Sequence, residues 1–214
     1  MNDRAKLVLA VVTGLILTVV VGVVLLTGGD DGGGEAAAEI VVKQDKLDPP
    51  TEVVAPGEAA SVIMETSEGS FTIELDTERA PKTANSFAYL TEQGFYDNLG
   101  FHRIVPDFVI QGGDPLGDGS GGPGFSVVEA PPQDLAYEPG IVAMAKSGDE
   151  ASGTSGSQFF IVTGEGGASL TPDYALVGKV SDGMDVVDAI GALGGPDEQP
   201  TSTVVIEKAT LEQG

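Results

Sequence analysis

Polar and apolar residues alternate in the second half of the stretch SVIMETSEGSFTIELD, which begins at residue 61. Phe71, Ile73 and Leu75 are separated by polar residues, and successive side chains of a strand point to opposite faces. A polar turn at residues 67–69 divides the stretch in two. The pattern therefore predicts a hairpin of two antiparallel strands.

A helical pattern follows in APKTANSFAYLTEQGFY, where Ala84, Phe87, Ala88 and Thr91 share one face. A proline lies in its first turn and Gly94 follows its end, both typical helix boundaries. A second amphipathic helix is predicted at DGMDVVDAIGAL, from the spacing of its apolar residues: Met184, Val187 and Ile190.

Short apolar runs between glycine-, proline- and acid-rich loops predict further strands at 108–111, 141–144, 158–163, 175–180 and 204–211. Many strands with only two short helices indicate an all-β fold. We expect a closed antiparallel barrel whose open ends are covered by the helices.

The segment Leu7 to Thr27 carries no charge, and its length matches the roughly 20 residues of a bilayer-spanning helix. Arg4 and Lys6 precede it and acidic residues follow, which predicts a cytoplasmic N-terminus at 1–6. The segment is thus predicted to be a transmembrane anchor. A cleaved signal peptide is the alternative, although its apolar region is usually only about 7 to 15 residues long.

Residues 28–60 mix glycine, acid and proline with little periodic apolar pattern, which predicts a flexible linker. Residues 61–214 then form the folded domain. These boundaries predict a single-pass protein of the cell membrane, with its folded domain on the extracytoplasmic side.

Composition limits the chemistry. The 214 residues are 41% hydrophobic, enough for one core of roughly 150 residues. A net charge of −23 repels phosphates, so we expect no nucleic acid partner. The chain has no cysteine and one histidine, which excludes disulfides, a thiol nucleophile and a zinc-thiolate site. We expect neither a metal nor a cofactor.

The one histidine lies in FHRIVPDFVIQGGDPLGDGSGGPGF, residues 101–125. The spacing of this stretch fits neither a trypsin-like serine motif, nor a P-loop, nor an EF-hand. A lone His102 is more typical of a packing residue than of an acid or base. Arg103, among apolar residues, needs hydrogen-bond acceptors from the protein or from a ligand carbonyl, and both remain open.

The segment FHRIVPDFVIQGGD resembles the central signature of the cyclophilin-type peptidyl-prolyl cis-trans isomerases, and GSQFFIVT resembles the second signature of that family. APKTANSF and YALVGKVSDGMDVVDAI are similar to its first helix and its last third, in the family's order. The resemblance spans residues 61–211. It implies an eight-stranded antiparallel barrel closed by two helices, and rotation about X-Pro bonds without metal or cofactor.

The resemblance also implies the site. Arg103 would donate to the prolyl amide, and Gln111 would hold Arg103 and the substrate carbonyl. The proline pocket would be lined by Phe108, Val109, Phe160 and Leu170, and the groove beside it by Ala145 and Gln158. Tyr174 lies at the position where many members of the family carry a histidine, and its hydroxyl would donate to a substrate carbonyl.

Three features depart from the family pattern. Val109 replaces a common methionine, Ser169 occupies the place of a tryptophan, and the loop at 146–156 is longer. We therefore expect weak binding of cyclosporin-type macrocycles. The implied partners are proline-containing polypeptides, whose folding after export the enzyme would assist. The alternatives are a non-catalytic proline-peptide-binding module or chaperone that uses the same groove, and a structural surface domain with a degenerate pocket.

Overall fold

The computed structural model describes residues 46–214, and ten strands and two α-helices lie within that range. The helices are α1 (Pro81–Glu92) and α2 (Met184–Gly191). The strands are β1 (Ala60–Thr66), β2 (Gly69–Leu75), β3 (Leu99–Val105), β4 (Val109–Gly112), β5 (Val127–Val128), β6 (Ile141–Met144), β7 (Thr154–Ser155), β8 (Phe159–Val162), β9 (Leu176–Asp182) and β10 (Val205–Gln213).

Eight of these strands form a closed barrel in the order β1-β10-β3-β4-β8-β6-β9-β2, and all the paired neighbours are antiparallel. The remaining two, β5 and β7, form a small separate sheet. The predicted hairpin is β1 and β2, where Val62 pairs with Ile73 and Met64 with Phe71. The prediction of an all-β, eight-stranded closed barrel with two helices is confirmed.

One face of each barrel strand points into the core. Phe71 and Ile73 of β2 are buried there, as the alternating pattern predicts. The predicted apolar faces of the helices join the same core: Ala84, Phe87 and Ala88 from α1, and Val187 and Ile190 from α2. Because the interior is filled by side chains, ligand chemistry has to take place on the outer surface of the barrel.

The N-terminus of α1 has no capping side chain of its own, since Ala80 occupies the N-cap position. Glu129, directly after β5, supplies the acceptor instead. Its carboxylate accepts from the backbone N–H of Lys82 (3.2 Å) and from the N–H (2.8 Å) and hydroxyl (2.9 Å) of Thr83. A carboxylate at this end also complements the helix dipole, so the β5–β7 sheet is tied to α1.

Part of the predicted linker, here called the N-terminal strap (residues 46–59), lies against the domain. The N–H groups of Val53 and Val54 donate to Asn85 Oδ1 on α1, at 2.7 and 3.0 Å. The Val54 side chain is buried in the core. The folded unit among the described residues therefore begins before β1, and the rest of the predicted linker lies outside the described residues.

The predicted localisation, a single-pass protein of the cell membrane, requires correction. No helix between residues 46 and 214 is long and apolar enough to cross a bilayer. The longer of the two helices in that range, α1, has only 12 residues, whereas a span needs about 20. The segment predicted as the anchor, Leu7 to Thr27, lies outside the described residues.

Candidate active site

Predicted site residues meet on the outer face of the barrel, on the neighbouring strands β3, β4 and β8 and in the loops beside them. Arg103 of β3 pairs with Gln111 of β4, and Gln111 pairs with Phe160 of β8. Phe160 pairs in turn with Ala143 of β6. Directly paired residues of adjacent strands point to the same face, so these four side chains form one row across the barrel. The row places a guanidinium at one end of an apolar surface.

That apolar surface is a second cluster, separate from the barrel core. Val109 and Phe160 are buried in it, at 2% and 5% exposure. The other predicted apolar residues of the site pack against it and are partly buried: Phe108, Ala145, Leu170 and Tyr174. The structure therefore brings every predicted apolar site residue into one cluster, which remains open to solvent at its edge.

Three aromatic rings form the floor of this cluster. The Phe160 and Tyr174 rings meet edge to face, with centroids 5.3 Å apart, and Tyr137 lies 6.2 Å from each. The Tyr137 hydroxyl donates to the backbone oxygen of Tyr174 (2.8 Å) and accepts from its N–H (3.1 Å). Burial raises the pKa of Tyr137 to about 12. Sequence reasoning missed Tyr137, which lies in a loop without any strand or signature pattern.

A chain of polar contacts runs along the edge of the cluster. Arg103 Nε donates to Glu198 Oε2 at 2.7 Å, and Arg103 Nη1 donates to Gln111 Oε1 at 3.4 Å. Gln111 Nε2 donates to Gln158 Oε1 at 3.1 Å. Gln158 Nε2 then donates to two backbone oxygens of the glycine-rich loop. Glu198 was not predicted, and its separation of 95 residues from Arg103 explains why no local pattern indicates it.

The glycine-rich loop is folded around a buried carboxylate. Asp114 is 1% exposed, and its oxygens accept from the backbone N–H groups of Leu116, Asp118 and Gly119. Gly113 has φ of 78°, and a Cβ there would lie 2.5 Å from the backbone oxygen of Ser157. The loop thus uses its N–H groups internally, which explains its composition without a phosphate or a metal.

The imidazole of His102 contributes no hydrogen bond to this site within the described part of the chain. Both ring nitrogens are buried, and neither has a partner among residues 46–214. Burial is the main cause that lowers the pKa of His102; Arg103 lowers it further, while Asp114 and Asp118 oppose the change. The position fits a packing residue, although residues 46–214 do not supply the hydrogen bond typical of such a histidine.

A charged pair borders the far end of the cluster, where the longer loop begins. Lys146 Nζ lies 2.7 Å from Asp173 Oδ2 and 5.7 Å from the centroid of the Tyr174 ring. The hydrogen bond between them raises the pKa of Lys146 and lowers that of Asp173. The N–H of Ala145 donates to the backbone oxygen of Gln158, which joins the two predicted groove residues.

A cavity of about 830 Å³ lies elsewhere on the barrel, beside β1, β2 and β9. Carboxylates such as Glu74 and Asp76 line it together with Arg79 and Lys179, and none of the predicted site residues does. It lacks the combination of a held donor and an apolar floor found at Arg103. Volume alone therefore does not locate the chemistry of this protein.

Comparison with known proteins agrees with this geometry. The family model for "Cyclophilin type peptidyl-prolyl cis-trans isomerase/CLD" matches residues 61–211, most of the chain. The chain belongs to this family. It is therefore a cyclophilin-type peptidyl-prolyl cis-trans isomerase.

Individual relatives of this cyclophilin support the assignment. It is 39% identical over 162 residues to the peptidyl-prolyl cis-trans isomerase-like 1 of Aspergillus oryzae, a match covering 73% of this chain and 98% of that protein. It is 37% identical over 186 residues to the probable peptidyl-prolyl cis-trans isomerase B of Mycobacterium leprae, covering 77% of this chain and 61% of that one.

A solved structure shares the fold of this cyclophilin. The Cryptosporidium parvum cyclophilin type peptidyl-prolyl cis-trans isomerase, crystallised in the presence of the dipeptide Ala-Pro, is 30% identical with a TM-score of 0.66. The match covers 72% of this chain and 99% of that one. The barrel described above is therefore a fold that other members of the family adopt.

Proposed function

We propose that Arg103 is the catalytic donor of this isomerase and that its target is the nitrogen of the X-Pro amide. Rotation about that bond faces a barrier of about 18 to 20 kcal/mol, because the nitrogen shares its lone pair with the carbonyl. A donor that favours the pyramidal nitrogen weakens this sharing. The hydrogen bond is strongest when the bond is twisted, so it stabilises the transition state more than either ground state.

One observation carries the proposal: Arg103 is held between two acceptors at the border of the apolar cluster. Its Nε and Nη1 are engaged by Glu198 and Gln111, and its Nη2 has no hydrogen-bond partner between residues 46 and 214. Nη2 is therefore available to a substrate. The side chain is 33% exposed, so a peptide that covers it would also remove it from water and strengthen the new hydrogen bond.

Gln111 has the second role. Its Oε1 accepts from Arg103 and its Nε2 donates to Gln158, so its amide plane is fixed from both sides. We assign to Gln111 the positioning of Arg103 and a contact with the substrate carbonyl. Gln158, tied to the glycine-rich loop, would line the groove for the residues before proline.

The prolyl ring would occupy the apolar cluster. Phe108, Val109, Phe160 and Leu170 supply its walls, and Ala145 continues the surface away from Arg103. Within the described residues the Tyr174 hydroxyl makes no hydrogen bond, so it can donate to a peptide carbonyl at the cluster edge. Apolar contact of this kind holds the ring in place while the carbonyl of the preceding residue rotates.

The partners of this site are proline-containing polypeptides. A binding module that holds such segments without turnover is the competing interpretation, and it predicts affinity without exchange. Addition of the full-length chain to a proline peptide, followed by NMR exchange spectroscopy, separates the two. We expect cross-peaks between cis and trans signals in the parent, and loss of peptide affinity in Phe160→Ala. Binding without any exchange would contradict the assignment of Arg103 as catalytic donor.

A further inference from the structure

The loop after α2 is fixed to the barrel next to Arg103. The N–H of Ile104 donates to the backbone oxygen of Glu198 at 2.8 Å, and the N–H of Glu198 donates to the oxygen of Gly195 at 3.1 Å. Glu198 itself has φ of 62°, a left-handed conformation uncommon outside glycine and asparagine. The contact with β3 holds this conformation, so the direction of the Glu198 side chain is set by the barrel.

This side chain makes the shorter of the two contacts to Arg103. Glu198 Oε2 lies 2.7 Å from Arg103 Nε, whereas the bond from Nη1 to Gln111 Oε1 is 3.4 Å long. A distance of 2.7 Å is at the short end of the range for charge-assisted hydrogen bonds, and solvent screens part of its strength because the Glu198 side chain is 53% exposed. Two acceptors at different nitrogens fix both the position and the rotation of a planar guanidinium.

Resting on the proposed role of Arg103, we propose that Glu198 is a positioning residue of the isomerase. It holds Nε so that Nη2 points to the prolyl nitrogen, and it does so without touching the substrate. Without Glu198, the guanidinium of Arg103 keeps one hydrogen bond within the described residues, the long contact to Gln111, and the side chain regains much of its rotamer freedom. A flexible donor is a poorer catalyst, because its orientation has to be restored at every turnover.

The charge of Glu198 acts in the opposite direction. A carboxylate beside the guanidinium reduces the positive potential that the prolyl nitrogen experiences. If that effect dominated, removal of Glu198 would speed the reaction. Orientation and charge therefore predict changes of opposite sign, and the conservative variant Glu198→Gln separates them, since its amide oxygen still accepts from Nε without carrying charge.

The test compares kcat/KM for one proline peptide in full-length variants. We expect Glu198→Ala to lose about 10- to 100-fold, mainly in kcat, as for a misplaced catalytic group. Glu198→Gln should stay within about threefold of the parent. Asp197→Ala is the matched control, because it removes one exposed carboxylate from the same loop without a contact to Arg103, and it should be unchanged.

A second measurement reports on Arg103 directly. The chain has three arginines, so the Nε–H signals can be assigned by substitution. The Arg103 Nε–H should exchange slowly with water in the parent and in Glu198→Gln, and quickly in Glu198→Ala. This readout does not depend on activity.

The outcomes are distinct. Activity of Glu198→Ala equal to or above that of the parent would overturn the positioning role, as would an equal loss in Glu198→Gln or in Asp197→Ala. If Arg103→Ala retains full activity, the proposed function itself fails. If Arg103→Ala is inactive while Glu198→Ala is unaffected, only the role of Glu198 fails.

Discussion

Arg103 and Gln111 are register partners on β3 and β4, and Arg103 Nη1 donates to Gln111 Oε1 across the strand pair. The strand ladder therefore sets the separation of donor and acceptor before any substrate arrives. Preorganisation of this kind matters because a group that is already in place needs no reorganisation at the moment of reaction. The two residues are eight positions apart, because β3 and β4 form a hairpin with a short connection.

Substitution of Gln111 by alanine removes one of the two acceptors that hold Arg103. We expect kcat/KM to fall about 10- to 100-fold, less than for removal of the donor itself. The free energy of unfolding should change by less than about 1 kcal/mol, since the side chain is partly exposed. Gln133→Ala is the control and should have full activity, because Gln133 is an exposed glutamine outside the chain of polar contacts that runs from Glu198 to Gln158. Equal activity of both variants would exclude a role for Gln111.

The Tyr137 hydroxyl makes the folded state less stable at alkaline pH. Its pKa is raised to about 12 by burial, above the value of about 10 in the unfolded chain. The stability that it contributes is therefore complete below pH 10 and is lost as pH rises from 10 to 12. Urea denaturation at pH 8 and pH 11 measures this difference. The difference in the free energy of unfolding between the two pH values should be smaller in Tyr137→Phe than in the parent. It should not vanish, because buried Tyr96 also has a raised pKa and still contributes.

The same variant tests the support of the aromatic floor. Tyr137→Phe leaves the backbone groups of Tyr174 without their partner, which should lower the free energy of unfolding at pH 8 by about 1 to 3 kcal/mol. If Tyr137→Phe has the same free energy of unfolding as the parent at pH 8, and loses as much of it between pH 8 and pH 11, the role given to this hydroxyl is contradicted.

His102 makes the stability of the protein depend on pH in the acid range, and its contribution is lost as the pH falls. Burial lowers its pKa below 6.5, so the folded state favours the neutral ring. Its contribution to stability is present above pH 6.5 and is lost as pH falls through the lowered pKa. Because the chain has one histidine, a single imidazole signal in an NMR pH titration reports it. We expect a midpoint below 6.5, and a midpoint above that value would show that a carboxylate partner outweighs burial.

The position of Ser169 predicts weak binding of cyclosporin-type macrocycles. Ser169 is exposed at the end of a 3-10 helix (Glu165–Ser169), and its hydroxyl donates to the Gly166 oxygen at 2.7 Å. It therefore offers no aromatic wall beside Leu170. Ser169→Trp should lower the Kd for a cyclosporin-type macrocycle at least about tenfold, because the indole ring would bury roughly 60 Å² of apolar surface against the ligand.

A tryptophan elsewhere on that helix provides the control. Ala168→Trp adds the same ring at an exposed neighbouring position and should leave Kd unchanged. Tight binding by the parent chain, with no gain in Ser169→Trp, would show that the wall is supplied by other residues.

Local patterns were sufficient for most of the fold. The hairpin of β1 and β2 follows from the alternation in β2 and the polar turn at residues 67–69, and α1 follows from its periodic face between a proline and Gly94. The N-terminal strap was not predicted, because its attachment depends on long-range partners such as Asn85, Thr77 and Gln213. The strap residues themselves show no periodic pattern. The Glu129 cap of α1 was missed for the same reason.

The candidate site was predictable where it lies within continuous signatures. Arg103 and Gln111 belong to one segment, and Phe160 to another. Glu198 and Tyr137 lie in loops, and their relation to the site exists only after the barrel has closed. Side-chain contacts across such sequence distances leave no periodic trace, so they require the folded structure.

The most direct test of the account is the rate of cis-trans exchange of one proline peptide with full-length Arg103→Ala. Arg79→Ala is the matched control, since it removes the same charge from an ion pair with exposed Asp134. We predict that Arg103→Ala loses about 100-fold or more in kcat/KM, while Arg79→Ala matches the parent and both variants remain folded. Full activity in Arg103→Ala would contradict the central claim that this guanidinium is the catalytic donor.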